Sequence, residues 1–286
     1  MPAAPNMEEM GLIETLKLIF NITHFCPDLS DEFSKSIPHL LKILQRHRIP
    51  GKPLDAPINY LINALINLHL EDPKKSQFGS NPLFPTFKPE ANIEHLVKIL
   101  DLAIKAYSEE QLDQQAAPLL ALLRRVYELA PQDMKKYMEW LLLPSDEERN
   151  KPLGQSDTLA SRLLRLSTSP MVPNLRESIA AMMYELSGKD ADKYVRNVGF
   201  GFASGFLLAK GIPVPASAKE AWSTAGQEQP GSEFSKINPV TGQRLDAEPE
   251  DTRPPMTDAE KEREAERLFV LFERFVDLNI TIRISY

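Results

Sequence analysis

The 286-residue sequence predicts an all-α fold, namely an armadillo/HEAT-like helical-repeat solenoid followed by an extended C-terminal arm and a terminal helix. Three observations support this prediction. Apolar residues recur at helical spacing through almost all of residues 7–212, many segments are apolar on more than one face, and Pro and Gly mark short joints between them. Because the repeat period is loose, an irregular helical bundle is the alternative.

Apolar residues spaced three and four apart define the successive helices of residues 7–212. In chain order these segments are Leu12–Thr23, Leu40–Leu44, Leu61–Leu68, Ile93–Ile104, Leu119–Leu129, Met134–Leu143, Leu159–Leu166 and Ile179–Leu186. The joints fall at Pro27, Pro50, Pro73, Pro131, Pro144, Pro170 and Gly188. Ser108 and Gln111 have the spacing of a capping box, in which side chains satisfy free amides at a helix start, so a helix is expected to begin there.

The chain changes character after residue 212. Residues 213–256 are rich in Pro, Gly, Ser, Gln and Glu, which predicts an extended linker without a core of its own. A second capping box at Thr257 and Glu260 predicts a terminal helix over residues 257–276. Residues 277–286 alternate between apolar and polar side chains, as a strand does, and form an atypical tail.

Composition argues against several classes of function. The net charge is -7 and the acidic excess is concentrated after Pro213, so nucleic acid is not expected as the main partner, because phosphate binding needs a basic face. The single cysteine, Cys26, allows neither a disulfide framework nor a Cys-based zinc site. The sequence contains no run of about 18 apolar residues, so no membrane span is predicted.

Chemical catalysis is not predicted either. The histidines lack metal-ligand spacing, and the sequence contains neither an HExxH motif nor a serine nucleophile elbow, so we expect no metal, no cofactor and no catalytic residue. The glycines of Gly199–Gly205 follow a GxGxxxG pattern, but no strand clearly precedes them and no acidic ribose partner follows. Close helix packing explains these glycines better than a nucleotide-binding enzyme does.

Asn59, Asn63 and Asn67 recur every four residues and form one stripe on a helix whose other faces carry Leu and Ile. Asn is a poor residue for a helix interior, so three on one stripe indicate a function. A side-chain amide both donates and accepts hydrogen bonds, and it can hold the backbone of an extended peptide. Asn21 is placed similarly in an earlier helix. The alternative is that these amides cap neighbouring turns or face solvent.

Two basic pairs lie on or near adjacent predicted helices, Arg124 with Arg125 and Lys135 with Lys136. Such groups bind carboxylates well, and the C-terminus of a bound peptide is one candidate. An ordinary solvated helix face is the alternative.

Four segments resemble the synembryn family, the "resistance to inhibitors of cholinesterase" proteins, in order and in spacing. They are LKLIFNITHF, the stretch from RLLRLSTSP to VGFGFASGFLLAKGI, SKINPVTGQ, and MTDAEKEREAERLFVLFERF. VGFGFASGFLLAKGI and INPVTG are the most specific of these, because neither is a generic repeat motif. The similarity runs from about Gly11 to Phe275 and looks most like the C-terminal half to two-thirds of a fungal member, which indicates a truncated member.

The resemblance implies a guanine-nucleotide exchange factor and folding chaperone for heterotrimeric G-protein α subunits. In the family, the concave face of the solenoid takes the α subunit's C-terminal helix, and the C-terminal extension reaches its switch region. The GDP-bound subunit is bound, and its nucleotide-free state is held until GTP enters. The expected location is the cytoplasm, with recruitment to the plasma membrane or cell cortex through the G protein. The alternative is a peptide-binding armadillo-type scaffold without exchange activity.

The resemblance also assigns roles within the arm. The INPVTG segment is expected to anchor it, with a turn set by Asn238, Pro239 and Gly242 and with docking by Ile237 and Val240. The terminal helix is expected to lay an apolar face in a partner groove, formed by Leu268, Phe269, Leu271, Phe272 and Phe275. The alternative is that this helix folds back on its own solenoid.

Overall fold

The structure is a computed structural model that describes residues 7–71, 81–215, 237–249, 257–258, 260–267 and 270. Within these ranges the secondary structure consists of α-helices and 3₁₀ turns, with an isolated antiparallel bridge between Ile237 and Arg244 and no strand. The all-α prediction is confirmed. The predicted tail, residues 277–286, lies outside the described residues.

The α-helices of residues 7–215 include one at every predicted segment. They are α1 (Met7–Phe25), α2 (Ser30–Ser34), α3 (Ile37–Arg46), α4 (Ile58–Asn67), α5 (Ala91–Ala106), α6 (Glu109–Gln115), α7 (Ala117–Leu129), α8 (Gln132–Leu142), α9 (Leu159–Leu166), α10 (Pro173–Leu186), α11 (Ala191–Val198) and α12 (Phe200–Ala209). Of these helices, α2, α11 and α12 were not predicted. Short 3₁₀ turns occupy Pro27–Leu29, Glu148–Asn150 and Leu245–Ala247.

Every third helix packs against the next: α1 against α4, α4 against α7, and α7 against α10. These four helices are called the central layer below. Each places fully buried side chains in one apolar core, for example Leu16, Leu65, Leu123 and Ile179. Helices α3, α5 and α8 pack against α4, α7 and α10 respectively. A period of three helices is that of an armadillo-type repeat, and the predicted helical-repeat solenoid is confirmed.

The helix starts show how local sequence sets these bounds. The predicted capping box is present at α6, where Ser108 Oγ accepts from the Gln111 amide and Gln111 Oε1 accepts from the Ser108 amide. Helix α10 begins at Pro173 without a cap of its own, and Asp113 of α6 accepts from the Leu175 amide at 2.8 Å instead. A side chain from another helix therefore completes this end.

The chain divides into two units, Met1–Glu248 and Pro249–Tyr286. The INPVTG segment, which the sequence places in a linker, belongs to the first unit. In the second unit, the described residues are helical from Asp258 onward, as predicted. At its start Glu260 Oε2 accepts hydrogen bonds from the amide and the hydroxyl of Thr257, both at 2.8 Å, and these bonds lower the pKa of Glu260.

Candidate partner-binding surface

The predicted asparagine stripe lies on α4, inside the central layer. Asn59, Asn63 and Asn67 are each half-buried, so packed neighbours do not cover them completely. The side-chain oxygen of Asn59 accepts from the Tyr60 amide at 2.7 Å, while the side-chain amide of Asn67 donates to the Phe20 carbonyl at 3.3 Å. Within the described residues, Asn63 makes no side-chain hydrogen bond. The Asn63 amide is therefore not used by described neighbours, and its role in peptide binding stays a prediction.

Asn21 lies on α1, which packs beside α4, and its side chain is exposed. One turn earlier, Lys17 lies 5.2 Å from the ring centre of Tyr60 on α4 and pairs with Glu14 at 2.8 Å. The exposed edge between α1 and α4 thus carries an amide, a cation and an aromatic ring. These groups can make polar contacts with a peptide, and the role of Asn21 stays a prediction.

Polar side chains join each pair of neighbouring helices in the central layer. Asn67 of α4 donates to a carbonyl of α1, as described above. From α7, Arg125 donates to the Ile66 carbonyl of α4 at 2.6 Å. Arg124 of α7 makes a two-bond pair with Glu185 of α10, at 3.0 and 2.7 Å. Side chains that the sequence assigned to peptide binding therefore also hold the repeats together.

The pairing of Arg124 with Glu185 bears directly on the carboxylate prediction. The hydrogen bonds that Arg124 donates to the Glu185 carboxylate raise the pKa of Arg124, despite partial burial of the guanidinium. One edge of the Arg124 guanidinium, its Nε and Nη2 groups, is already occupied by the Glu185 carboxylate in a bidentate geometry. An incoming carboxylate would compete with Glu185 for Arg124, so Lys135 and Lys136 are better placed for that role.

A pocket of about 580 Å³ lies between the C-terminal ends of α7 and α10 and the helices α8 and α11. Its charged lining consists of Lys135, Lys189, Lys193, Arg196, Glu128, Glu139 and Glu185. Lys135 lies 5.6 Å from the ring centre of Tyr127, and burial together with a 2.8 Å bond to Glu139 raises the pKa of the Tyr127 hydroxyl. Lys136 is exposed and does not line the pocket. The four cations exceed the three carboxylates, which favours an anionic group.

The INPVTG segment forms the predicted turn, and its polar groups close it internally. The side-chain oxygen of Asn238 accepts from the amides of Val240 and Thr241, at 2.9 and 3.2 Å. The Gly242 amide donates to the Asn238 carbonyl at 2.8 Å, and Gly242 has a positive φ of 68°. Asn, Pro and Gly are the residues that favour such a turn, because Asn bonds to nearby backbone and Gly tolerates positive φ.

The turn docks on the start of α12 through backbone groups. The Pro239 carbonyl accepts from the Phe200 amide at 2.7 Å, and the Val240 carbonyl accepts from the Gly201 amide at 3.0 Å. Gly199 and Gly201 permit this approach, because a Cβ on either would lie 3.0 or 3.3 Å from the Val240 carbonyl oxygen. These two glycines leave room for the backbone of the INPVTG turn, so the expected explanation by close helix packing is wrong for them.

Docking by the Val240 side chain stays a prediction, because that side chain contacts no described partner surface here. Val240 is 40% exposed, and its contribution is the backbone carbonyl. Ile237 is half-buried and pairs with Arg244 in the β-bridge. The assignment of Asn238, Pro239 and Gly242 to partner binding stays a prediction, and the bonds they make here lie within the chain.

Sequence reasoning missed Arg149, which lies in the 3₁₀ turn after α8 and is only 6% exposed. Its guanidinium donates to the Gly242 carbonyl at 3.1 Å and to the Asn197 carbonyl at 3.0 Å. Burial lowers the pKa of Arg149, with Asp146 4.0 Å away as its nearest acidic partner. A lone arginine in an acidic loop carries no sequence signal of this role.

The remaining predicted residues lie on the terminal helix and outside the described residues, namely Leu268, Phe269, Leu271, Phe272 and Phe275. In the part of the chain that the structure describes, no group of three or more His, Cys, Asp or Glu side chains is placed to hold a metal ion. Among the described helices, none combines the length and the apolar character needed to cross a bilayer.

Comparison with known proteins shows the family. A sequence profile described as "Guanine nucleotide exchange factor synembryn" matches residues 1–281. A synembryn-like chaperone of Schizosaccharomyces pombe is 29% identical over 290 residues, which cover 97% of this chain and 53% of that protein. Chaperone Ric-8A of Rattus norvegicus is 25% identical over 287 residues, and that of Gallus gallus is 26% identical over 294 residues.

In both Ric-8A proteins the alignment covers more than nine-tenths of this chain, 94% and 96% respectively, and 52% of the relative. The chain therefore spans about half the length of the curated relatives it matches. The profile match extends over almost every residue, including the two motifs that dock on each other, INPVTG and VGFGFASGFLLAKGI. This chain belongs to the synembryn family of guanine-nucleotide exchange factors.

Proposed function

We propose that this chain is a guanine-nucleotide exchange factor and folding chaperone for heterotrimeric G-protein α subunits. The observation that carries the proposal is the profile match over residues 1–281, and the helical-repeat fold agrees with it. The matched relatives are named as chaperones, which supports the folding-chaperone part of the proposal. The chain would act in the cytoplasm and reach the plasma membrane or cell cortex through its G-protein partner.

The central layer supplies the surface for the α subunit's C-terminal helix. Asn21, Asn59 and Asn63 would hydrogen-bond to polar groups of that segment, because the Asn21 side chain is exposed and those of Asn59 and Asn63 are only half-buried. The pocket beside Lys135 would receive its terminal carboxylate. The terminal helix, with Leu268, Phe269 and Phe272, would contact the switch region.

Exchange of this kind needs no chemical step. A protein that binds the nucleotide-free conformation more tightly than the GDP-bound one lowers the affinity of the α subunit for GDP by the same factor. Pulling the C-terminal helix away from the nucleotide domain would loosen the loops around the guanine base. No metal, cofactor or catalytic residue is required of this chain, and none of its residues needs to touch the nucleotide.

The rate of GDP release tests the proposal. A purified α subunit loaded with fluorescent GDP is mixed with excess GTP and increasing amounts of this chain, and the release rate is recorded. We expect the rate to rise and then saturate, and the Asn63→Ala variant to require more protein for the same rate. Binding without any acceleration would contradict the exchange activity.

A scaffold that binds peptides through the same layer is the second candidate. The observation that favours it is the half-buried asparagine stripe of α4, which could hold a peptide without any effect on nucleotide exchange. In the same experiment, a scaffold would bind the α subunit and leave GDP release unchanged. Absence of binding to both the subunit and a peptide copying its C-terminus would contradict both candidates.

A further inference from the structure

The start of α12 depends on the INPVTG turn for its hydrogen bonds. A helix leaves its first amides without intrahelical partners, and they must be satisfied by a cap, water or another group. Helix α12 follows Gly199, which has no side chain to serve as a cap. The carbonyls of Pro239 and Val240 fill that role for Phe200 and Gly201 from a segment far along the chain.

A second set of groups holds the other side of the turn. The Leu153 amide donates to the Thr241 carbonyl at 3.0 Å, and the buried Arg149 guanidinium donates to the Gly242 carbonyl. In the reverse direction, the Arg244 amide donates to the Arg149 carbonyl at 2.8 Å. Four successive carbonyls, from residues 239 to 242, are thus bound by donors of the helical body.

The fit also depends on the absence of a side chain at one position. A Cβ on Gly242 would lie 2.4 Å from Cδ1 of Leu153, which is closer than carbon atoms tolerate, and the φ of 68° is itself unfavourable for other residues. By contrast, the Val240 side chain is exposed. The body therefore recognises a turn conformation and its carbonyls, with glycine required at one place only.

We infer that the helical body contains a binding site for an Asn-Pro-Val-Thr-Gly turn, formed by the amides of Phe200, Gly201 and Leu153 and the guanidinium of Arg149. Residues 237–244 of the same chain occupy this site as a latch. The latch sets where the rest of the arm begins. This site is called the turn site below. Its existence follows from the contacts alone. Its consequence for the remainder of the arm, from Pro249 onward, rests on the proposed function.

A peptide-binding experiment tests the turn site. The full-length Gly242→Val variant should expel its own latch, because the added side chain collides with Leu153, and should then bind a labelled peptide copying residues 235–246. The unaltered chain should bind the peptide at least about tenfold more weakly, since its covalently attached latch has a high effective concentration. The Leu245→Ala variant, which changes a 46% exposed side chain next to the turn, is the matched control and should behave like the unaltered chain.

Two outcomes of this experiment would overturn the site. One is a folded Gly242→Val variant, with unchanged helix content, that fails to bind the peptide. The other is equal binding of the peptide by the variant and the unaltered chain. A peptide with Val in place of its own Gly serves as the negative probe and should not bind the vacated site.

Hydrogen exchange provides a test that does not depend on the Gly242 variant folding. In the unaltered chain, the amides of Phe200 and Gly201 should exchange as slowly as those in the middle of α12. In Asn238→Ala, which removes the acceptor that closes the turn, they should exchange at least about tenfold faster. Rapid exchange of both amides in the unaltered chain would overturn the site.

Binding of the intact α subunit tests the role of the latch in positioning the arm. Gly242→Val should weaken binding of the intact subunit about tenfold or more and leave binding of a peptide copying the subunit's C-terminus unchanged. Adding the 235–246 peptide should fill the turn site without restoring subunit binding, because the peptide is not attached to the arm. Full restoration by the peptide, or no loss in the variant, would overturn this role.

The two proposals fail in different ways. If the unaltered chain does not bind the α subunit, the proposed function fails, while peptide binding to Gly242→Val still decides whether the turn site exists. If the subunit binds normally but the vacated site takes no peptide, the turn site fails and the proposed function stands.

Discussion

The ion pair between α7 and α10 allows a quantitative test of how neighbouring repeats are held together. Arg124 and Glu185 make two charge-assisted hydrogen bonds, and their side chains are 36% and 19% exposed. Fully exposed pairs contribute about 0.2–1 kcal/mol, and bidentate, partly buried geometry strengthens the interaction. We therefore expect a coupling energy of about 1–1.5 kcal/mol between the two side chains.

A double-mutant cycle isolates this energy. The free energy of unfolding in urea is measured for the unaltered chain, Arg124→Gln, Glu185→Gln and the double variant, and the coupling is the departure from additivity. The pair Glu14 and Lys17 on α1 is a suitable control, because its side chains are 71% and 40% exposed and lie one turn apart. We expect the control pair to contribute less than about 0.5 kcal/mol.

Salt separates the two pairs further. At about 1 M salt the Debye length is about 3 Å, so the exposed control pair should lose its coupling while the Arg124–Glu185 pair keeps part of its own. A coupling energy for Arg124 and Glu185 no larger than that of the control would refute the reasoning. The bond geometry would then be present without a measurable contribution to holding α7 on α10.

Three further predictions concern single side chains. Asn67→Ala should lower the free energy of unfolding in urea by about 1 kcal/mol, because its amide donates to the Phe20 carbonyl. Asn63→Ala should not lower that free energy, since Ala favours a helix interior more than Asn does, and should weaken calorimetric binding of the α-subunit peptide by roughly 1–3 kcal/mol. Leu123→Ala, in the fully buried core, should lower the same unfolding free energy by about 2–5 kcal/mol. Burial, aided by repulsion from Lys98, lowers the pKa of His95 below its ordinary 6.5. The contribution of His95 to the free energy of unfolding should therefore be constant above pH 6.5 and fall as the pH drops below it. In a series of unfolding curves at different pH, His95→Gln should reduce the dependence of this free energy on pH.

Each of these predictions has an outcome that contradicts it. Equal losses of stability in the two asparagine variants would mean that the stripe has one common structural role. A loss below about 1 kcal/mol in Leu123→Ala would show that the central layer collapses around the cavity or is loosely packed. An unchanged dependence on pH in His95→Gln would assign the acid sensitivity to other groups.

The sequence predicted the candidate site less completely than it predicted the fold. It selected Asn67 and Arg124 as partner-binding residues, and the structure shows both bonded to neighbouring helices. It correctly expected a turn at INPVTG, and it did not reveal that the turn docks through carbonyls on α12. Nor did it identify Arg149, because a buried guanidinium and a solvated one look alike in a sequence.

Helical periodicity, the capping boxes and the Pro and Gly joints were sufficient by themselves to determine an all-α chain of stacked helices. These signals act over a few residues, since a helix forms through bonds between residues four apart and a capping box spans three. Tertiary structure alone decided which polar groups meet, because those contacts join residues 47, 61 and 93 positions apart in the chain. No local pattern encodes such a pair, and only the packing of the repeats brings Arg149, Gly199 and the INPVTG turn into contact.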